Sequence, residues 1–233
     1  MNPVRPRILA FDVFGTVVDW HGSLVREMAA LHPQVDGDAF ALAWRAGYQP
    51  AMQRVRSGQQ GWTRIDELHR QVLDGILPRF GLGHLGEAER RHLNLAWHRL
   101  AAWPDSVAGL ARLKARHMVV SLSNGNLGLL ADMAKHTGLP WDCILSAEVF
   151  RAYKPDPTTY LGVAQVFDAS PAEVMLCAAH HDDLAAARAC GLQTAYIERP
   201  LEFGAGQPKD VSPQPGNDLH ARDIGHLADL LGC

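Results

Sequence analysis

Four short polar clusters carry the side chains in this sequence that can do chemistry. They are Asp12, with Gly15 and Thr16 just after it, Ser123-Asn124-Gly125, Lys154 before Pro155, and His180-His181-Asp182-Asp183. A carboxylate can act as nucleophile or proton acceptor, an ammonium group can keep it ionised, and a hydroxyl beside free amides can hold an oxyanion. Each cluster also has a purely structural reading. Asp12 or Asp183 could cap a following helix, Ser123-Asn124-Gly125 could be a turn, Lys154 a solvated loop lysine and His180 a hydrogen-bonded core histidine. Their common position is what argues for chemistry: each follows, or lies between, segments of an alternating strand and helix pattern.

Ile8 to Phe11 is a short apolar run bounded by Pro6 and Gly15, which suits a buried parallel strand and delivers Asp12 to its C-terminal end. After Asp19 the apolar residues take helical spacing: Leu24, Val25, Met28, Ala29 and Leu31, then Phe40 through Met52 as a second helix, Ile65 to Leu77 as a third and Ala88 to Leu100 as a fourth. From Met118 the chain alternates. Strands are expected at Met118 to Leu122, Cys143 to Ser146, Val174 to Ala178 and Thr194 to Ile197. Helices are expected at Leu127 to Thr137, Thr158 to Phe167, Leu184 to Cys190 and Asp223 to Leu231, with Pro200 to Asn217 as an irregular surface loop. The fold class is therefore α/β: a Rossmann-like parallel-sheet core, residues 1–20 and 102–233, with an inserted helical cap, residues 21–101. Such a sheet gathers its C-terminal loops into one crevice, where all four clusters can meet.

With 233 residues, 47% of them hydrophobic, the chain can bury a substantial core. A formal charge of -3 provides no basic field for nucleic acid. Cys143, Cys177, Cys190 and Cys233 are widely separated, without CxxC pairing, and read as reduced thiols of a cytoplasmic protein. No apolar run reaches membrane-spanning length, and no signal-peptide core precedes Asp12, so neither a membrane nor secretion is expected.

The series Asp-x-x-Gly-Thr, Ser-Asn-Gly, Lys-Pro-Asp and an acidic strand end resembles the haloacid dehalogenase superfamily over nearly the whole chain. Phe11-Asp12-Val13-Phe14-Gly15-Thr16-Val17-Val18-Asp19 is similar to its (S)-2-haloacid dehalogenase branch. The phosphatase branch has a second aspartate two positions after the nucleophile, where this chain has Phe14, which cannot transfer a proton. The first carboxylate of the usual Mg²⁺-holding motif is replaced by Ala179. A metal-dependent phosphatase is the alternative reading, and a non-catalytic anion-binding protein a third.

The resemblance implies that Asp12 attacks C2 of a short 2-haloalkanoic acid and forms an ester that water hydrolyses, with no organic cofactor and no metal. Arg45, in Leu42-Ala43-Trp44-Arg45, and Asn124 would receive the halide, and Trp62 would line its pocket. Ser123, Thr16 and backbone amides near Val13 and Phe14 would hold the substrate carboxylate. Lys154 would keep Asp12 ionised, Tyr160 would join the same network, and Asp183 and His180 are candidates to orient or deprotonate the water. His180 replaces an asparagine of family members, which leaves the water-activating step open. The resemblance also implies a homodimer.

Overall fold

The structure is a computed structural model and describes residues 5–233; residues 1–4, assigned to the core from sequence, lie outside the described residues. Its main sheet has six parallel strands. β1 (Ile8–Phe11) is central, and β2 (Val18–Asp19) belongs to a separate antiparallel pair with β3 (Ala101–Ala102). On one side of β1 lie β4 (Met118–Ser123) and then β5 (Cys143–Ser146). On the other lie β6 (Val174–Ala178), β7 (Gln193–Ile197) and β8 (Leu219–Ala221). The order of strands thus reverses beside β1, and the crevice outside its C-terminal end is where a sheet of this kind binds its ligand.

Strand alternation builds the two layers. Leu9 and Phe11 face one way, with Val119, Met175 and Cys177, and Ile8 and Ala10 face the other, with Val120, Leu122, Val174 and Leu176; all are essentially inaccessible to solvent. The first face is covered by α6 (Ser106–Lys114), α7 (Leu127–Thr137) and α11 (Ile224–Leu230). The second is covered by α9 (Pro157–Val166) and α10 (His181–Ala189). A sheet covered on both sides explains why the strands read as continuous apolar runs.

Between β2 and β3 the chain is helical: α1 (Trp20–Leu31), α2 (Gly37–Ala46), α3 (Tyr48–Arg56), α4 (Ile65–Ile76) and α5 (Glu87–Asn94). The single helix expected from Phe40 through Met52 is divided at Gly47. A Cβ there would lie 2.3 Å from Val72 of α4, so the close approach of α4 demands glycine. Pro50 falls in the first turn of α3, where its missing N–H costs no helix bond. The expected fourth helix ends at Asn94 and tightens into a 3₁₀ turn, Leu95–Arg99. The two-residue strands β2 and β3, the one-turn α8 (Ala147–Phe150) and the short edge strand β8 escape sequence reading.

Candidate active site

Asp12 leaves β1 with its backbone fixed, because its amide continues the ladder to the Cys177 carbonyl at 3.0 Å. The residue is 7% exposed. Oδ1 accepts from Lys154 Nζ at 2.9 Å, and Oδ2 accepts from Thr16 Oγ1 at 2.8 Å and faces His180 Nδ1 at 3.1 Å. Burial alone would raise this carboxyl, but the Lys154 charge and the His180 contact outweigh it and hold Asp12 far below the ordinary carboxylate value.

Lys154 also reaches Asp183 Oδ2 at 2.5 Å, and the Tyr160 hydroxyl donates to Asp183 Oδ1 at 2.6 Å. Burial opposes the lysine charge, yet Asp12 and Asp183 together keep it raised. Asp183 is pushed up by burial and by the nearby Asp12 charge, against the pull of Lys154. The two carboxylates are thereby distinguished: Asp12 is held ionised, and Asp183 is the more basic. The Lys154 loop is located in turn by Asn124, whose Oδ1 accepts the Lys154 amide at 2.8 Å and whose NH₂ group remains for the cavity.

His180 lies between two carboxylates. Its Nε2 is 2.8 Å from Glu202 Oε1, and Glu202 is fully buried, with Lys209 Nζ at 2.6 Å from its other oxygen. Burial disfavours an imidazolium, but the Glu202 charge and the Asp12 contact overcome it and raise His180 to about 9. Glu202 itself is lowered to about 2, burial being outweighed by His180 and Lys209. Glu202 and Lys209 belong to the segment expected to be an irregular surface loop. No motif spacing announces them; the only clue is a carboxylate between Leu201 and Phe203. Gly15 makes room for Glu202: it has φ +84°, and a Cβ there would lie 2.3 Å from Oε1.

A cavity of about 390 Å³ opens onto these groups, and its walls include Asp12, Phe14, Arg45, Asn124, Lys154, Tyr160, His180 and Asp183. Phe14 is held edge-on to Trp97 (5.6 Å between centroids), Tyr48 and His69 (both 6.2 Å). Arg45 stacks over Tyr48, with its Cζ 4.2 Å from the ring centroid. Its Nη1 is buried and has no hydrogen-bond partner, a cation prepared for an anion.

The side chains of three expected site residues, Thr16, Ser123 and Trp62, do not line this cavity, and Val13, expected to act through its backbone amide, turns its side chain into the core. Val13 and Ser123 are buried, and the Ser123 hydroxyl accepts the Gly125 amide at 3.0 Å. Thr16 is buried too; its hydroxyl donates to Asp12 and accepts the Ala179 amide at 2.9 Å, so it positions the carboxylate and has nothing left for a substrate. Trp62 stacks on Tyr153 at 4.9 Å and lines a neighbouring cavity. Among the described residues, no group of three or more His, Cys, Asp or Glu side chains is arranged to hold a metal ion.

A parallel sheet with its order reversed beside a carboxylate, and a lysine bridging that carboxylate to a second one, define a hydrolase of one family. The family model of the haloacid dehalogenase-like hydrolases matches residues 6–191, and the chain belongs to that family. It is similar to the solved L-2-haloacid dehalogenase PA0810, with 49% identity, TM-score 0.93 and coverage of 97% of this chain and 99% of the other. It is likewise similar to the defluorinating L-2-haloacid dehalogenase Rha0230, with 45% identity, TM-score 0.94 and coverage of 99% and 100%. A curated relative, (S)-2-haloacid dehalogenase 1 of Pseudomonas sp. (strain CBS-3), is 30% identical over 85% of this chain and 86% of its own length.

Proposed function

We propose that the protein hydrolyses short (S)-2-haloalkanoic acids to (R)-2-hydroxyalkanoic acids and halide, with Asp12 as the nucleophile. The observation that carries this reading is an ionised Asp12 in the same cavity as Arg45, whose buried Nη1 has no partner. Asp12 Oδ1 accepts one hydrogen bond and Oδ2 faces two donors, which leaves Oδ1 the better nucleophile. Oδ1 attacks C2 from the side opposite the halogen. The C–halogen bond breaks with its electron pair going to the halide, and Arg45 and the Asn124 amide stabilise the departing charge.

In the ester that results, Oδ2 is the carbonyl oxygen. Thr16 Oγ1–H and protonated His180 Nδ1–H then form an oxyanion hole for the tetrahedral intermediate of hydrolysis. This differs from a role for His180 as base: an imidazole that is already protonated between two carboxylates has no lone pair to accept a proton. Asp183 is the base for the attacking water, because it is the carboxylate still bound to Lys154 once Asp12 is esterified and it lines the same cavity. The water attacks Cγ of Asp12, and the hydroxyacid leaves with the original Oδ1.

The helical insertion, residues 21–101, acts as a cap that supplies Arg45 to a core that supplies Asp12. We further read the enzyme as a cytoplasmic homodimer, on the family resemblance and on four cysteines that are all free thiols; sedimentation of the purified protein tests the dimer.

The decisive experiment is halide release from (S)-2-chloropropionate in EDTA by the native protein and by Asp12→Asn. Release that is lost in the variant supports the proposal. Absence of release by the native protein, with p-nitrophenyl phosphate hydrolysed once Mg²⁺ is added, sinks it in favour of the phosphatase alternative.

A further inference from the structure

Beside the catalytic cavity lies a second one of about 460 Å³. The two share two wall residues, Arg56 and Pro155, so Arg56 stands at the boundary between them. It is the last residue of α3, on the insertion, and its Nη1 reaches across to the Lys154 carbonyl of the core at 3.1 Å. Its other contacts are Gln53 Oε1 at 3.0 Å and Gln49 Oε1 at 3.5 Å. Every one of these acceptors is neutral. Among the described residues no carboxylate lies within ion-pair distance of this half-buried guanidinium, so its charge is uncompensated on the wall that the two cavities share.

A 2-haloacid reaches the site as an anion and must approach Asp12 and Asp183, which repel it. Lys154 is committed to those two carboxylates, and His180 to Asp12 and Glu202. The inner cavity therefore has two cations free of ion pairs, Arg45 and Arg56. The substrate presents two negative features, its carboxylate and the departing halide. Arg45 serves the halide; of the groups that the sequence suggested for the carboxylate, the Thr16 hydroxyl is committed to Asp12, Ser123 is buried, and the backbone amides near Val13 and Phe14 are neutral donors that leave the anion's charge uncompensated.

We propose that Arg56 binds the substrate carboxylate and that the outer cavity is an antechamber for small carboxylate anions. The antechamber has an aromatic wall, Trp62 stacked on Tyr153, and a second exposed cation, Arg151, at its edge. Its one acidic residue, Asp156, uses Oδ1 to cap α9 through the Thr158 amide at 2.9 Å. The inference takes the identity of its substrate from the dehalogenase reading, whereas the anion site stands on the geometry of Arg56.

The test measures calorimetric binding of (S)-2-chloropropionate and of neutral (S)-2-chloropropionamide to full-length Asp12→Asn protein, which cannot form the ester, with Arg56 native or changed to Gln or Lys. Arg56→Gln is expected to weaken the acid roughly tenfold to a hundredfold, the loss of one charge-assisted contact, and to flatten the salt dependence of binding. The amide is expected to bind equally with either residue, and Arg56→Lys to keep the salt dependence. In the otherwise native enzyme, Arg56→Gln raises KM by a larger factor than it lowers kcat. Equal losses for acid and amide would show that Arg56 only ties α3 to the Lys154 loop and would overturn the proposal, as would unchanged affinity for the acid. A native protein that binds the acid through Arg56 and yet releases no halide would defeat the dehalogenase reading and leave the anion site standing.

Discussion

Glu202 Oε1 lies 2.8 Å from His180 Nε2, on the side of the imidazole opposite Asp12. This contact fixes the protonation of the ring. Charges alternate along the line Asp12, His180, Glu202 and Lys209, so each group stabilises the ionised form of the next. The result is a cation at neutral pH aimed at one oxygen of Asp12 and sustained by a residue that lies outside the walls of the cavity.

Replacing Glu202 with Gln removes the charge that sustains the imidazolium. Because His180 must be protonated to serve as the oxyanion donor, native kcat is expected to fall on the alkaline side, at a pH below the free-enzyme value of about 9, since esterified Asp12 no longer adds its charge to the support of the imidazolium. In Glu202→Gln that alkaline limb shifts to lower pH, and kcat at neutral pH drops by about tenfold or more, up to the hundredfold to thousandfold typical of a lost oxyanion donor. A pH profile of unchanged shape would contradict the positioning role.

On the proposed mechanism, Asp183→Asn retains the nucleophile and loses the base. One equivalent of halide is expected per active site, followed by a stall with Asp12 esterified. Rapid-quench halide assay and intact mass of the protein both report it, the mass rising by that of the carboxyalkyl group bonded through C2. Asp12→Asn shows neither burst nor adduct.

Arg45 acts on the opposite half of the reaction. Substitution by Gln leaves the departing halide without its buried cation and slows ester formation roughly a hundredfold to a thousandfold. The burst itself becomes slow and no adduct accumulates, which separates this variant kinetically from Asp183→Asn. If adduct accumulated in Arg45→Gln, the halide assignment would be wrong.

His98 connects the insertion to the core: Nε2 is 3.1 Å from Asp66 at the start of α4 and Nδ1 is 2.8 Å from Asp132 of α7. Burial disfavours its charge, but the Asp66 and Asp132 contacts prevail and raise its pKa. A raised folded value stabilises the protein fully below the unfolded imidazole value of about 6.5, and that contribution disappears as pH rises through the higher folded value. The stability of native protein over His98→Gln, followed by urea denaturation across this window, is expected to be greatest on the acid side and to shrink toward the alkaline side.

Much of this fold is legible without coordinates, because its determinants are local. β5, β6 and α7 occupy the expected residues, since a short apolar run between turn residues, or an apolar stripe ended by Gly138, is encoded within a few neighbours. The positions of Asp12, Lys154, Tyr160 and Asp183 follow from strand ends that a parallel sheet must gather together. What the tertiary structure decided is which face each polar group presents and what lies against it. Thr16 and Ser123 stand in the motifs but turn inward, because one step along a turn or strand exchanges crevice for interior. At Gly47 the helix divides where α4 approaches closely and where Pro50, in the next turn, cannot donate back to the Ala46 carbonyl. Glu202 reaches His180 from a loop with no periodicity, and Arg56 acquires its place only where α3 meets the Lys154 loop. Such contacts are made between segments distant in the chain, and their energies depend on burial and on neighbouring charge, which no local pattern of residues encodes.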